Sequence, residues 1–80
     1  MRLDKFLKVS RIIKRRTIAN EACDAGKVIV NGKVARASYE VKVGDIIELN
    51  FGSRNLKVRV KEVKEYCKKD EIENLYESLN

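Results

Sequence analysis

The feature that most restricts the fold is the stretch from Arg2 to Arg16, where apolar residues are threaded among cations at helical spacing. Leu3, Phe6 and Leu7 stand at i, i+3 and i+4, so a single turn of helix brings them onto one face. Lys5 and Lys8 then fall on another face. Asp4 is expected to be the N-cap, its carboxylate accepting from the free amides of the first turn. The alternative role for Asp4 is to hold Arg2. The stretch holds seven cations (Arg2, Lys5, Lys8, Arg11, Lys14, Arg15 and Arg16) against one acid. It therefore carries the whole net charge of +6, and the remainder of the chain sums to zero. Solvated helix faces normally mix signs. A one-sided excess this concentrated, anchored by an apolar face, points to a polyanion partner.

Length and composition bound the rest. Eighty residues make one domain, burying roughly 60–65% of its unfolded surface. So small a core leaves little room for a deep substrate pocket. The 44% apolar fraction is that of a folded chain. The pI near 9.5 favours nucleic acid first and an anionic membrane second. No apolar run exceeds three residues, so nothing spans a bilayer. The charged N-terminus lacks the apolar core of about 7–15 residues that a signal peptide needs, so the expected location is the cytoplasm. Cys23 and Cys67 are the only cysteines, and there is no His and no CxxC. That leaves no recognisable zinc site or redox pair. Both are expected as reduced thiols, Cys23 packed on a helix and Cys67 near a charged linker.

After the first helix, Ser10 to Lys14 reads as a connection, and a second helix begins between Arg15 and Thr17. Thr17 caps it or lies in its first turn. Ile18, Ala22 and Ala25 repeat at i, i+4 and i+7, with Ala19 and Cys23 beside them, an inward face of small residues. Gly26 is a natural stop. Arg15 and Arg16 sit at the positive end of the helix dipole, where cations are disfavoured and a phosphate is favoured. Val28-Ile29-Val30 is a short strand, and Asn31-Gly32 is a strong hairpin signal. Lys33-Val34-Ala35 returns. Residues 36–39 read as irregular, and Val41 and Val43 alternate with Lys42. Gly44-Asp45 turns into a strand from Ile46 to near Phe51. After the loop at 52–55, Leu56 to Val63 alternates apolar and mostly cationic residues, a half-buried strand with a basic outer face.

The predicted fold is α+β: two N-terminal helices packed on a small, mainly antiparallel sheet, over residues 1–63. Residues 64–80 are predicted as a charged connector and a short acidic amphipathic helix. Asp70 and Glu73 fit N-cap and N3 positions. Ile72, Leu75, Tyr76 and Leu79 fall at i, i+3, i+4 and i+7 among four acids and no base. That stripe docks on the domain, contacts a protein partner, or covers the basic face. An eleven-residue helix is marginal by itself.

Catalytic chemistry has no visible carrier. There is no His to act as a base at neutral pH, no Gly-rich phosphate loop, and no activating partner for Ser38 or Tyr39. The chain is read as a non-enzyme without cofactor or metal. Binding remains. Arg and Lys on and between two short helices suit phosphates, and Asn31 and Lys33 at the hairpin tip can reach a groove. With few aromatics, and Phe6 facing inward, shape-and-phosphate recognition of folded RNA fits better than stacking on single-stranded bases.

Taken in order, Arg2-Leu3-Asp4-Lys5-Phe6-Leu7, Ser10-Arg11, Lys14-Arg15-Arg16-Thr17, Gly26-Lys27-Val28, Asn31-Gly32 and Gly44-Asp45 resemble the S-four RNA-binding domain, from Arg2 to about Val63. Among its small stand-alone members, the chain is similar to the heat-shock protein fifteen group and to the RqcP group of bacterial ribosome-quality-control factors. The run from Arg2 to Thr17 and the short acidic tail are closest to the latter. That resemblance implies a protein on a split large ribosomal subunit carrying peptidyl-tRNA, touching ribosomal RNA and tRNA. It also implies support of C-terminal alanine tailing by an RqcH-like partner, as a monomer when free. The implied RNA contacts are Arg2, Lys5, Lys8, Arg11, Lys14, Arg15, Arg16, Thr17, Asn31 and Lys33. Arg2 and Arg16 stand foremost, because a guanidinium can grip a phosphate bidentately. Members often carry Ser where Arg15 stands, so the helix-start cap is missing here. The alternatives are recycling of blocked large subunits, ribosome assembly, targeting of an RNA-modifying enzyme, and general nucleic-acid binding.

Overall fold

The computed structural model describes all residues, Met1 to Asn80. Two short helices, α1 (Leu3–Val9) and α2 (Arg16–Asp24), pack against each other and on one face of a five-stranded sheet. The strands are β1 (Val28–Val30), β2 (Lys33–Val34), β3 (Ile46–Asn50), β4 (Asn55–Val60) and β5 (Tyr76–Ser78). Their order is β2-β1-β3-β4-β5, and every pairing is antiparallel. The fold is the α+β class expected from the sequence.

The apolar spacing of α1 sets the core. Leu3, Phe6 and Leu7 are fully buried and meet Ala19 and Cys23 of α2 and Val28, Val30, Ile47, Leu49, Val58 and Val60 of the sheet. On α2 the inward face differs from expectation. Ala19 and Cys23 are buried, whereas Ile18 is 48% exposed and Ala25 lies at the surface. The helices lie close, and only the smallest side chains of α2 fit between α1 and the sheet. The helix ends as expected: Gly26 takes φ +74, its amide bonds to the Cys23 carbonyl, and the Lys27 amide bonds to the Ala22 carbonyl. This is a Schellman closure. Asn31 and Gly32 both take positive φ, 52 and 83, and turn β1 into β2, as a two-residue type I′ hairpin requires. Val41 and Val43 form no strand; the segment makes only one bridge, Arg2 to Glu40.

The C-terminal segment departs most. Residues 69–74 form a 3-10 helix, and Tyr76–Ser78 add strand β5 to the sheet, paired with β4. The acidic α-helix expected there does not form. A helix of that length has little stability of its own, whereas β4 without β5 leaves a row of unpaired amides and carbonyls. Strand addition satisfies them and buries Leu75 completely. Arg59 and Glu77 stand opposite in the register and form an ion pair at 2.7 Å. Strand β4 is correspondingly shorter than the alternation suggested, ending at Val60.

Candidate nucleic-acid interface

Asp4 is not the N-cap of α1. Arg2 holds that position and makes no side-chain cap. The first amides of α1 are satisfied by the loop that follows β2: Leu3 donates to the Tyr39 carbonyl at 2.8 Å and Asp4 to the Ala37 carbonyl at 3.2 Å. This backbone docking releases the Asp4 side chain. Its carboxylate is 2% exposed and accepts from the Lys5 amide at 2.8 Å. It also accepts from Arg2 through Nε and Nη2 (3.1 and 3.3 Å), from Asn20 Nδ2 (3.2 Å) and from Arg16 Nη2 (3.4 Å). Burial pushes the carboxyl pKa up, but the bonds from Arg2, Asn20 and Arg16 outweigh it and hold it below the usual carboxylate range. Asp4 is thus an anion at neutral pH, with two guanidinium groups hung on it.

The two arginine side chains remain half exposed, at 49% for Arg2 and 48% for Arg16. Each spends part of its donor fork on Asp4, leaving the remaining N–H groups for an outside acceptor. Arg16, Thr17, Asn20 and Glu21 line a cleft of about 370 Å³ with Asp4 at its floor. Thr17 lies in the first turn of α2 and does not cap it. The N-cap is Arg15, and no side chain bonds the free amides there. An uncapped, positively polarised helix end beside two oriented arginines has the chemistry to accept a phosphate.

The remaining candidates spread from this centre. Lys5 Nζ is paired with Glu65, whose carboxyl the Lys5 hydrogen bond and charge hold below its ordinary value. Lys8 and Arg11 lie at the far end of α1, lining one cleft with Tyr66. Lys14 and Arg15 are exposed in the connection between the helices and form no ion pair. Lys33 is exposed and lines a groove of about 600 Å³ with Val34, Arg36, Ser38 and Tyr39. Residues 37–39 also anchor α1, so this groove adjoins the arginine pair.

Asn31 differs from its expected use. Its amide is committed internally: Nδ2 donates to Asp45 Oδ1 at 3.0 Å and Oδ1 accepts from the Ile46 amide at 2.9 Å. Tyr39 Oη and the Lys42 amide donate to the other oxygen of Asp45, both at 2.9 Å. Asn31 thereby fixes the hairpin to the body of the domain and offers little to a ligand. Sequence reasoning did not select Asn20, Arg36 or Tyr66. Only Asn20 had a legible signal, one helical turn after Arg16 at i+4. The cysteines are free and both are buried. The Cys23 thiol is pushed up to about 11 by burial and the nearby Asp4 and Asp24 charges, which makes it inert. No helix is long and apolar enough to cross a membrane.

The S4 domain family matches residues 1–47. The RQC P-site tRNA stabilizing factor of Bacillus subtilis strain 168 is 52% identical over 79 residues, spanning 99% of this chain and 92% of that protein. The protein of the same name from Streptococcus pneumoniae is 50% identical over 80 residues, 100% of this chain and 91% of that one. Among solved structures, Vibrio cholerae heat shock protein 15, a trimeric structure at 2.3 Å resolution, superposes with a TM-score of 0.90 at 30% identity. It covers 98% of this chain and 80% of that one. The chain belongs to the S4 domain family, within the group that holds the RQC P-site tRNA stabilizing factors and heat shock protein 15.

Proposed function

We propose that this chain is a non-catalytic RNA-binding factor of ribosome quality control. It binds the large ribosomal subunit through ribosomal RNA, holds peptidyl-tRNA in place there, and supports alanine tailing by an RqcH-like partner in the cytoplasm. The observation that carries this reading is the buried Asp4 with Arg2 and Arg16 fixed on it, their free donors facing outward beside the uncapped end of α2. Two forks aimed from a common anchor recognise phosphates by geometry as well as by charge. The names of the relatives at 52% and 50% identity support the tRNA and quality-control parts of the reading. Arg2, Arg16 and Thr17 form the centre of the site. Lys5, Lys8, Arg11, Lys14, Arg15 and Lys33 supply surrounding phosphate contacts, and Asn31 positions the hairpin.

The test is co-sedimentation with large subunits, empty or carrying peptidyl-tRNA, across a salt series. The loaded subunit is expected to bind better, and Arg16→Ala to abolish that preference while the variant remains folded. Losing one phosphate contact should flatten the log–log salt slope by about 0.7–0.9. Equal binding to empty and loaded subunits removes the quality-control assignment. A slope and affinity unchanged in Arg16→Ala remove Arg16 from the site. The likeness to Vibrio cholerae heat shock protein 15 favours a second reading, recycling of blocked large subunits. A preference for loaded subunits with no effect on tailing by the partner supports that reading over the first.

A further inference from the structure

We propose that Tyr66, with Lys8 and Arg11, forms a second RNA contact, a platform on which one unpaired base stacks. The inference rests on the RNA-binding reading above and adds to it a contact of a different kind. Tyr66 is 75% exposed, more than any other large apolar or aromatic side chain of the protein. It lines one cleft with Lys8, Val9, Arg11, Glu65 and Cys67. The ring is not on a loose tether. On one side of it Glu65 is paired with Lys5 of α1; on the other Cys67 is buried. Both neighbours are tied to the body of the domain, so the backbone that carries the ring is held beside α1.

Arg11 gives an independent pointer. It takes φ +61 just past the end of α1, its amide bonded back to the Lys8 carbonyl. That left-handed position is ordinarily taken by glycine, because any Cβ there meets the backbone. An arginine in its place presents a guanidinium at the cleft, and this side chain has no internal ion pair.

The charges around the ring complete the case. The two cations lining the cleft, Lys8 and Arg11, form no ion pair, whereas the one acid lining it, Glu65, is already held by Lys5. A flat ring amid unpaired cations fits a polyanion that carries flat bases. Stacking accepts any base, and the cations take the phosphates on either side. Lys8 lies four residues beyond Asp4 on α1, about 6 Å of helix rise, so one short stretch of RNA reaches both contacts.

The experiment measures the affinity of the full chain for two RNA hairpins of equal length, one with a single bulged adenosine and one fully paired. The parent is expected to prefer the bulged RNA. Tyr66→Phe keeps that preference. Tyr66→Leu weakens binding of the bulged RNA by about 5- to 100-fold and leaves the paired RNA unchanged. The chain has no Trp, so the emission of a Tyr66→Trp variant reports the ring alone, and saturation with the bulged RNA should quench it. Equal binding of both RNAs by parent and Tyr66→Leu, while Arg16→Ala still weakens both, overturns the stacking site and leaves the RNA reading standing. Parent binding that is weak and insensitive to salt overturns both. If Tyr66→Leu loses affinity for intact large subunits but for neither hairpin, the ring faces a ribosomal protein and the stacking site is overturned.

Discussion

Asp4 and Asp45 are two buried aspartates put to different uses. Each is nearly sealed from water, at 2% and 8% exposure, and each carboxyl is held below its ordinary range because several donors outweigh burial. The partners differ. Asp45 is held by Asn31, Tyr39 and the Lys42 amide, neutral groups that turn inward and tie the hairpin and the 36–42 loop to β3. Asp4 is held largely by Arg2 and Arg16, which still have half their side chains in solvent. A buried charge with neutral donors is complete and makes a brace. A buried charge with arginines remains unsaturated on the outside and makes the proposed site, because the guanidinium forks it orients have donors to spare.

The largest effect should come from breaking the brace. Asp45→Ala leaves the donors of Asn31, Tyr39 and Lys42 without their shared acceptor, and should cost about 2–4 kcal/mol of stability. Urea unfolding measures it. Binding per folded molecule should survive, since no group that faces the proposed ligand is removed. A stability change below about 1 kcal/mol would mean that the loop repacks and that Asp45 braces nothing.

Asp4→Asn should reverse this profile. The side-chain volume stays and Asn20 keeps a polar neighbour, so stability falls less than in Asp45→Ala. The two arginines lose the anion that orients them, and RNA affinity should drop about tenfold, ~1.4 kcal/mol, at constant salt. Tighter binding is the opposite outcome. It would mean that Asp4 acts on RNA mainly as a repelling charge and that pre-orientation of the arginines counts for little.

How much of this was legible varied along the chain. The apolar spacing of Leu3, Phe6 and Leu7, the Asn31-Gly32 turn and the Gly26 stop are local signals, and each element formed where they placed it; the alternation located β4 but overran its end by three residues. The role of Asp4 was misjudged because capping is a local rule, whereas α1 begins one residue before Asp4: the amides of Leu3 and Asp4 are met by carbonyls of Tyr39 and Ala37, more than thirty residues away, and the Asp4 carboxylate keeps only the Lys5 amide. The C-terminal segment failed for a similar reason. Its helical spacing is real, but the free edge of β4 and the space for Leu75 exist only in the folded domain, and they outweigh an intrinsically weak helix. Tyr66 is invisible to pattern reading: nothing in the sequence separates an exposed ring on a pinned loop from a buried one.

A smaller effect isolates one arm of the brace. Tyr39→Phe removes a single hydrogen bond and leaves Asp45 with Asn31 and Lys42, so about 1 kcal/mol should be lost. The Asp45 bond also raises the pKa of the Tyr39 hydroxyl, chiefly because it favours the protonated phenol. In an alkaline titration Tyr39 should therefore ionise above the ordinary range of a tyrosine, and Asp45→Asn should bring it down. A Tyr39 titration that does not move in Asp45→Asn would place the hydroxyl outside the network.

Acid titration separates the two aspartates by the finest difference. Both carboxyls have folded pKa values below the unfolded value, so at low pH the unfolded state binds more protons than the folded one. Their stabilisation is complete at neutral pH and is lost as pH falls below about 4 and through the folded values. The unfolding temperature should be flat near neutrality and decline in acid. Asp4→Asn and Asp45→Asn should each make that decline shallower by a similar amount, because each removes one such group. RNA binding followed down the same pH range should respond to only one of them. Protonating Asp4 frees the arginines from their anchor, whereas protonating Asp45 loosens a brace that the ligand does not touch. The parent's loss of affinity in acid should thus be preserved in Asp45→Asn and absent in Asp4→Asn. If both variants lose it equally, the two networks act as a single unit, and the division between brace and site fails.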